Sequence, residues 1–215
     1  MRKKRLNDEH LYLVLDTQVA SYAKLFEILK AAVLAGTGIV QLRDKNGSIR
    51  QICDFSRRAV EWIAGRALFI VNDHCDAAVV CGADGVHLGQ DDLDPAEVRR
   101  ITGPEMLIGV SCQTLEHLDR AHDAGADYIG FGSVFITRTK PERRPMDLRT
   151  LSAACEKTRV PLYAIGGITL DNADQVLAAG VDRIAVTRAV MNAVDFAGAI
   201  EKFQRRLPAP TGKVL

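Results

Sequence analysis

Short apolar, β-branched runs recur along the chain, and a longer amphipathic stretch follows each one. The strand candidates are 11–15, 38–42, 68–71, 85–88, 107–110, 128–131, 162–165 and 183–186. The runs are too short for helices and are rich in Val, Ile and Leu, as strands buried on both faces are. Between them, helical periodicity predicts helices near 19–35, 49–64, 74–81, 94–101, 114–124, 147–158, 171–179 and 195–206. Leu115, Leu118, Ala121 and His122 illustrate the pattern, falling on one face at i, i+3, i+6 and i+7.

A weak internal repeat marks the junctions. Ala35-Gly36-Thr37-Gly38, Cys81-Gly82-Ala83-Asp84, Ala124-Gly125-Ala126-Asp127 and Ala179-Gly180-Val181-Asp182 each sit where a helix pattern stops and a strand pattern starts. Glycine just past a helix end takes the left-handed conformation that closes it. Alternating β and α elements imply a parallel sheet with helical crossovers. Eight such units in 215 residues predict an α/β chain folded as a single (β/α)8 TIM barrel. The rival open doubly wound sheet lacks its GxGxxG after the first strand. The organisation predicted is a basic N-terminal arm over 1–10, the barrel over 11–207 and a flexible Pro/Gly-rich tail over 208–215.

Composition then removes several function classes. The chain is 47% hydrophobic and 26% charged with a formal net charge of +1, so disorder and global attraction to nucleic acid are both excluded. The basic stretch Arg2-Lys3-Lys4-Arg5 is the lone local argument for a nucleic-acid partner, and no such partner is expected from four residues. No apolar segment follows it, and no run reaches about 18 apolar residues, so neither a secretory leader nor a membrane span is expected. Cys53, Cys75, Cys81, Cys112 and Cys155 form no CxxC pair and read as buried free thiols in a cytoplasmic protein. Oligomeric state leaves no signal.

In a βα barrel, chemistry sits at the C-terminal ends of strands and in the loops that follow. Those positions hold Gln41-Leu42-Arg43-Asp44-Lys45, Asn72-Asp73, Gln90-Asp91-Asp92, Ser111, the segment 132–140, Gly166-Gly167 and Thr187-Arg188. Arg43 and Lys45 alternate with period 2 and so point the same way, and with Lys140 they form a candidate anion site. Arg143 and Arg144 read as solvated charge. Asp73 and Asp92 end neighbouring strands; as a pair beside cations they suit Mg2+, which uses one or two carboxylates, waters and phosphate oxygens. Gly166-Gly167 and Thr187-Arg188 suit a monophosphate bound on backbone N–H groups. His87 lies on a strand and reads as a packed core histidine. GxSxG, P-loop and readable Cys–His signatures are absent.

Six motifs in order carry a resemblance. Gln41-Leu42-Arg43-Asp44-Lys45, Val71-Asn72-Asp73, the segment 85–90 with Asp92, Ile108-Gly109-Val110-Ser111, Thr137-Arg138-Thr139-Lys140 and Ala164-Ile165-Gly166-Gly167-Ile168 are similar to those of the thiamine-phosphate synthase family. The resemblance implies coupling of 4-amino-2-methyl-5-hydroxymethylpyrimidine diphosphate to a hydroxyethylthiazole phosphate, plain or carboxylated, with release of pyrophosphate. It implies that Gln41, Arg43, Lys45, Asn72, Ser111 and Lys140 hold the pyrimidine diphosphate, with Lys140, Arg43, Lys45 and Ser111 as the catalytic set. Asp73 and Asp92 would bind Mg2+, and Thr137, Thr139, Gly167, Thr187 and Arg188 would hold the thiazole phosphate. Two departures stand out: Ile136 replaces the family's usual proline, and Arg188 replaces a smaller residue. The related thiazole tautomerase carries a histidine where Ser133 stands here, and a catalytically silent phosphate sensor would not need the carboxylate pair.

Overall fold

The computed structural model describes residues 1–137 and 144–209. Its eight strands run in chain order as β1 (Leu11–Asp16), β2 (Ile39–Arg43), β3 (Leu68–Asn72), β4 (Gly85–Leu88), β5 (Leu107–Cys112), β6 (Tyr128–Phe131), β7 (Leu162–Ile165) and β8 (Ile184–Val186). All neighbours pair in parallel, and β8 returns to β1, closing the barrel in sequence order. The (β/α)8 expectation is met. Among the described residues the helices are α1 (Arg2–Asn7), α2 (Tyr22–Leu34), α3 (Ile49–Ile63), α4 (Cys75–Cys81), α5 (Pro95–Thr102), α6 (Leu115–Asp123), α7 (Leu148–Lys157), α8 (Ala173–Ala178), α9 (Arg188–Met191) and α10 (Phe196–Gln204).

Strand boundaries differ from the hydrophobic pattern in an informative way. β1, β2, β3 and β5 extend one or two residues further, taking in Asp16, Arg43, Asn72 and Ser111. The apolar run stops there, but the hydrogen-bonded ladder continues, with Asp16 facing Arg43 and Asn72 facing His87 in register. Polar residues that pattern alone assigns to loops are therefore held by the sheet. Helix α9 has no signal in the pattern because it is a single turn.

Local chemistry sets the helix limits. Ser48 caps α3 through the Gln51 amide while Gln51 reaches back, a reciprocal capping box. Asp94, Thr114, Asp147 and Asp195 each accept a backbone N–H in the first turn of the next helix. Gly36, Gly82, Gly125 and Gly180 all have φ between +66° and +93°, the conformation their place in the repeat predicts.

Inside the barrel lies a compact apolar plug that includes Tyr12, Ile39, Leu68, Ile70, Leu107, Tyr128 and Tyr163. Outside it, a larger cluster packs the helices onto the strands. Helix α1 belongs to the inner cluster: Leu6 is buried beneath the barrel floor, and the Tyr163 hydroxyl donates to the Glu9 carbonyl at 2.8 Å. The basic arm is thus a docked floor helix. Arg2 pairs with Asp84 at 2.9 Å and Lys3 with Asp127 at 2.7 Å, while Arg5 donates to the carbonyls of Gly65 and Arg66.

Candidate functional site

The mouth at the C-terminal ends of the strands opens into a cavity whose walls come from all eight strands. Val14, Gln41, Arg43, Asn72, His87 and Ser111 line it, together with Ser133, Thr137, Gly166, Gly167, Ile168, Thr187 and Arg188. Eight of the predicted site residues therefore share one cavity: Gln41, Arg43, Asn72, Ser111, Thr137, Gly167, Thr187 and Arg188. Thr139 and Lys140, with Arg138 and Arg143, lie outside the described residues. Arg144 is exposed, as expected of solvated charge.

Arg43 is nearly buried and its guanidinium donates to the fully buried Asp16 carboxylate at 2.8 Å. Burying either charge alone would be costly, so each fixes the other, and the planar guanidinium keeps further donors for a ligand. The loop that follows is fastened by Asp44, whose carboxylate accepts from the backbone of Asn46 and Gly47 and from the Tyr22 hydroxyl. A side chain at Gly47 would collide with that carboxylate.

Lys45 does not share the cavity with Arg43. It sits on the rim, where its Nζ lies 2.5 Å from the Asp73 carboxylate. Asp73 is in turn hydrogen-bonded to Asp92, and Asp92 accepts from the Gly89 amide at 2.6 Å. Burial and the neighbouring Asp92 push Asp73 above the ordinary carboxyl range against the pull of Lys45. Asp92 goes the other way: its hydrogen bonds from Asp73 and Gly89 outweigh burial and hold it low. The two carboxyl groups lean on each other beside Lys45. Asp73 also has a left-handed backbone, φ +61°, which costs a non-glycine residue roughly 1–2 kcal/mol. Like charges gathered on a strained residue suit a divalent cation. Among the described residues no group of three metal-ligating side chains occurs, so this pair fits Mg2+ completed by water and phosphate oxygens, and not a cage built from protein alone.

His87 bears out the sequence reading and adds to it. It is buried, yet it lines the cavity and its Nε2 lies 2.9 Å from Ser111 Oγ. Its role was hidden because β4 alternation puts it inside the barrel, where a packed residue and a site residue look alike. Two donors in the cavity walls lack partners among the described residues: Asn72 Nδ2 and Arg188 Nε. Buried N–H groups left unpaired are costly, and their cost is recovered when a ligand accepts from them. At the β7 end, Gly166 and Gly167 have φ of +106° and +65°, and a side chain on Gly167 would strike the Ile136 carbonyl. The loop beyond is held by Asn172, which donates to the Gly167 carbonyl at 2.9 Å.

Comparison with known proteins places the chain in a family. The thiamine monophosphate synthase family profile matches residues 11–190. The chain belongs to this family. It is 43% identical over 197 residues to thiamine-phosphate synthase of Synechococcus sp. strain CC9311, which covers 90% of this chain and 56% of that relative. It is 39% identical over 201 residues to the Clostridioides difficile thiamine-phosphate synthase, covering 92% and 94% respectively. The chain thus spans little more than half the length of the cyanobacterial relative and nearly all of the clostridial one. A thiamine phosphate pyrophosphorylase structure from Pyrococcus furiosus superposes with a TM-score of 0.83 at 35% identity, over 94% of this chain and 96% of that one. The 3-hexulose-6-phosphate synthase of Salmonella typhimurium, at 17% identity and a TM-score of 0.71, shares the fold.

Proposed function

We propose that the chain joins an aminopyrimidine-methyl diphosphate to a thiazole phosphate, releasing pyrophosphate, as a thiamine-phosphate synthase. The observation that carries this reading is the Asp73–Asp92 pair, tied to Lys45, on the rim of a cavity walled by Gln41, Arg43, Asn72 and Ser111. Family membership supports it, and so does the match along almost the whole clostridial relative.

In the reaction proposed, the C–O bond to the diphosphate breaks and its electron pair leaves with the diphosphate. The thiazole nitrogen then donates its lone pair to the methylene carbon, forming the C–N bond. Charge builds on the departing oxygen as the bond lengthens, so fixed cations there stabilise the transition state more than the ground state. Arg43, Lys45 and Lys140 are assigned to that work, and Gln41, Asn72 and Ser111 to holding the pyrimidine diphosphate. Mg2+ held by Asp73 and Asp92 would supply further neutralisation of the diphosphate. Thr137 and Thr139, with the backbone of Gly167, Thr187 and Arg188, are assigned to the thiazole phosphate, and the unpartnered Arg188 Nε makes its side chain a further donor. Such chemistry needs few acids or bases. Ser133 supplies no imidazole for a tautomerase.

The assay mixes both substrates with Mg2+ and follows pyrophosphate and thiamine phosphate. One pyrophosphate should appear for each thiamine phosphate. A protein that binds both substrates and releases neither product would be a sensor.

A further inference from the structure

A line of hydrogen bonds crosses the barrel interior and joins two walls of the cavity. Gln41 Nε2 donates to the Tyr12 hydroxyl at 2.7 Å, and Tyr12 and Tyr128 hydroxyls lie 2.9 Å apart. The Tyr128 hydroxyl lies 3.2 Å from His87 Nδ1, and His87 Nε2 lies 2.9 Å from Ser111 Oγ. The line starts and ends on cavity residues, while both tyrosines are buried in the inner core.

One ordering of the hydrogens pairs every hydroxyl along it. Tyr12 accepts from Gln41, so its own proton goes to Tyr128. In that ordering Tyr128 gives its proton to His87 Nδ1, which is then bare, and the imidazole proton lies on Nε2 and points at Ser111. Ser111 accepts there and keeps its own proton to donate elsewhere. Burial pushes both phenols well above their ordinary value, so the protons this count requires stay in place. The strands make room for the line: a side chain at Gly109 would collide with the Tyr128 ring, and a Cβ at Gly130 would stand 3.1 Å from the His87 ring.

We propose that Tyr12 and Tyr128 are positioning residues: with Gln41 they hold His87 in its Nε2–H tautomer, so that Ser111 offers the cavity a hydroxyl proton while Gln41 offers its carbonyl oxygen. The coupling makes one wall an acceptor and the other a donor. Resting on the function proposed above, the ligand matched is an aminopyrimidine, which carries amino N–H donors and ring-nitrogen acceptors. Chains of hydrogen bonds polarise one another, so loss of an interior member reaches both ends.

The test joins a long-range 1H–15N spectrum of the His87 ring to steady-state kinetics on the full chain, with His87 assigned by its loss in His87→Asn. The native protein should show the Nε2–H tautomer. Tyr128→Phe should lose that preference and drop kcat about 10- to 100-fold, the range for partners that orient site residues, with KM for the thiazole phosphate unchanged. Tyr163→Phe is the control, since its ring packs on the same two tyrosines while its hydroxyl bonds to the Glu9 carbonyl. It should keep both the native spectrum and kcat. An Nδ1–H tautomer in the native protein overturns the proposal, and this result needs no variant to fold. So does an unchanged tautomer in Tyr128→Phe, or an equal loss of kcat in Tyr163→Phe. If the chain releases no pyrophosphate but shows the Nε2–H tautomer, the relay stands and the assigned activity falls.

Discussion

The two ends of this barrel are built from the same residue types and treat charge in opposite ways. On the floor, every member of the repeat's acidic position is satisfied. Asp84 accepts from the Phe69 amide and pairs with Arg2; Asp127 accepts from the Ile108 amide and binds Lys3 and Arg99; Asp182 takes the Arg183 guanidinium. The fourth repeat has Gly38 at that position, and the Glu9 carboxylate occupies the space its missing side chain leaves. At the mouth, by contrast, two carboxyl groups lean on each other beside Lys45. Matched charge holds a structure together, whereas charge left incomplete waits for a ligand. The contrast separates stability from function along one axis of the molecule.

The largest effect that can break this contrast is removal of the cation proposed for the mouth. Excess chelator should abolish pyrophosphate release, and Mg2+ should restore it. Asp92→Asn should raise the Mg2+ requirement without lowering Tm, because it relieves a crowded carboxyl pair. Full turnover in excess chelator would remove the metal from the account. Next in size is Lys140→Ala. A cation that meets the leaving oxygen in the transition state is worth on the order of 10²–10³ in rate. The loss should fall on kcat, and Lys140→Arg should recover only part, since a planar fork does not replace a compact charge. A raised KM at unchanged kcat would place Lys140 in substrate binding alone.

Much of this architecture was legible before any coordinates. Period and glycine stops give eight strands and their order, and positions at the strand ends give Arg43, Asn72 and Ser111, which line the cavity. What pattern could not give is direction. Arg43 and Lys45 share a period-2 phase, yet one enters the barrel to meet Asp16 and the other turns outward to Asp73, because the strand ends between them. For His87, alternation says inside, which is right, but inside holds both core and cavity. The acidic repeat and the basic arm were each visible alone, but their pairing joins residues more than 80 positions apart. No local rule reaches that far.

On the floor, the effects should be on stability and leave turnover intact. Leu6→Ala removes a side chain buried under the barrel and should cost about 2–5 kcal/mol, read as a lower Tm or denaturant midpoint. Well below that Tm, kcat should match the native value. A large fall in kcat with an unchanged Tm would mean that the floor helix reports to the mouth, and the separation of the two ends would be lost.

The smallest effect concerns Cys155, the one cysteine that is not fully buried, which borders a floor cavity with Arg159 and Asp182. Burial, helped by the negative charges of Asp182 and Glu156, pushes its thiol up to about 11. The thiolate is the reactive form, so the shift from 9.0 to about 11 leaves about a hundredfold less of it near neutral pH. Raising the pH should therefore speed labelling by about tenfold per unit until the pH approaches 11. Maleimide labelling followed by mass spectrometry measures this directly. Because Cys155 lies on the floor, protein labelled there should keep its native kcat. Fast labelling at neutral pH would show that the floor is less well satisfied than its ion pairs imply, and lost turnover after labelling would again tie the two ends together.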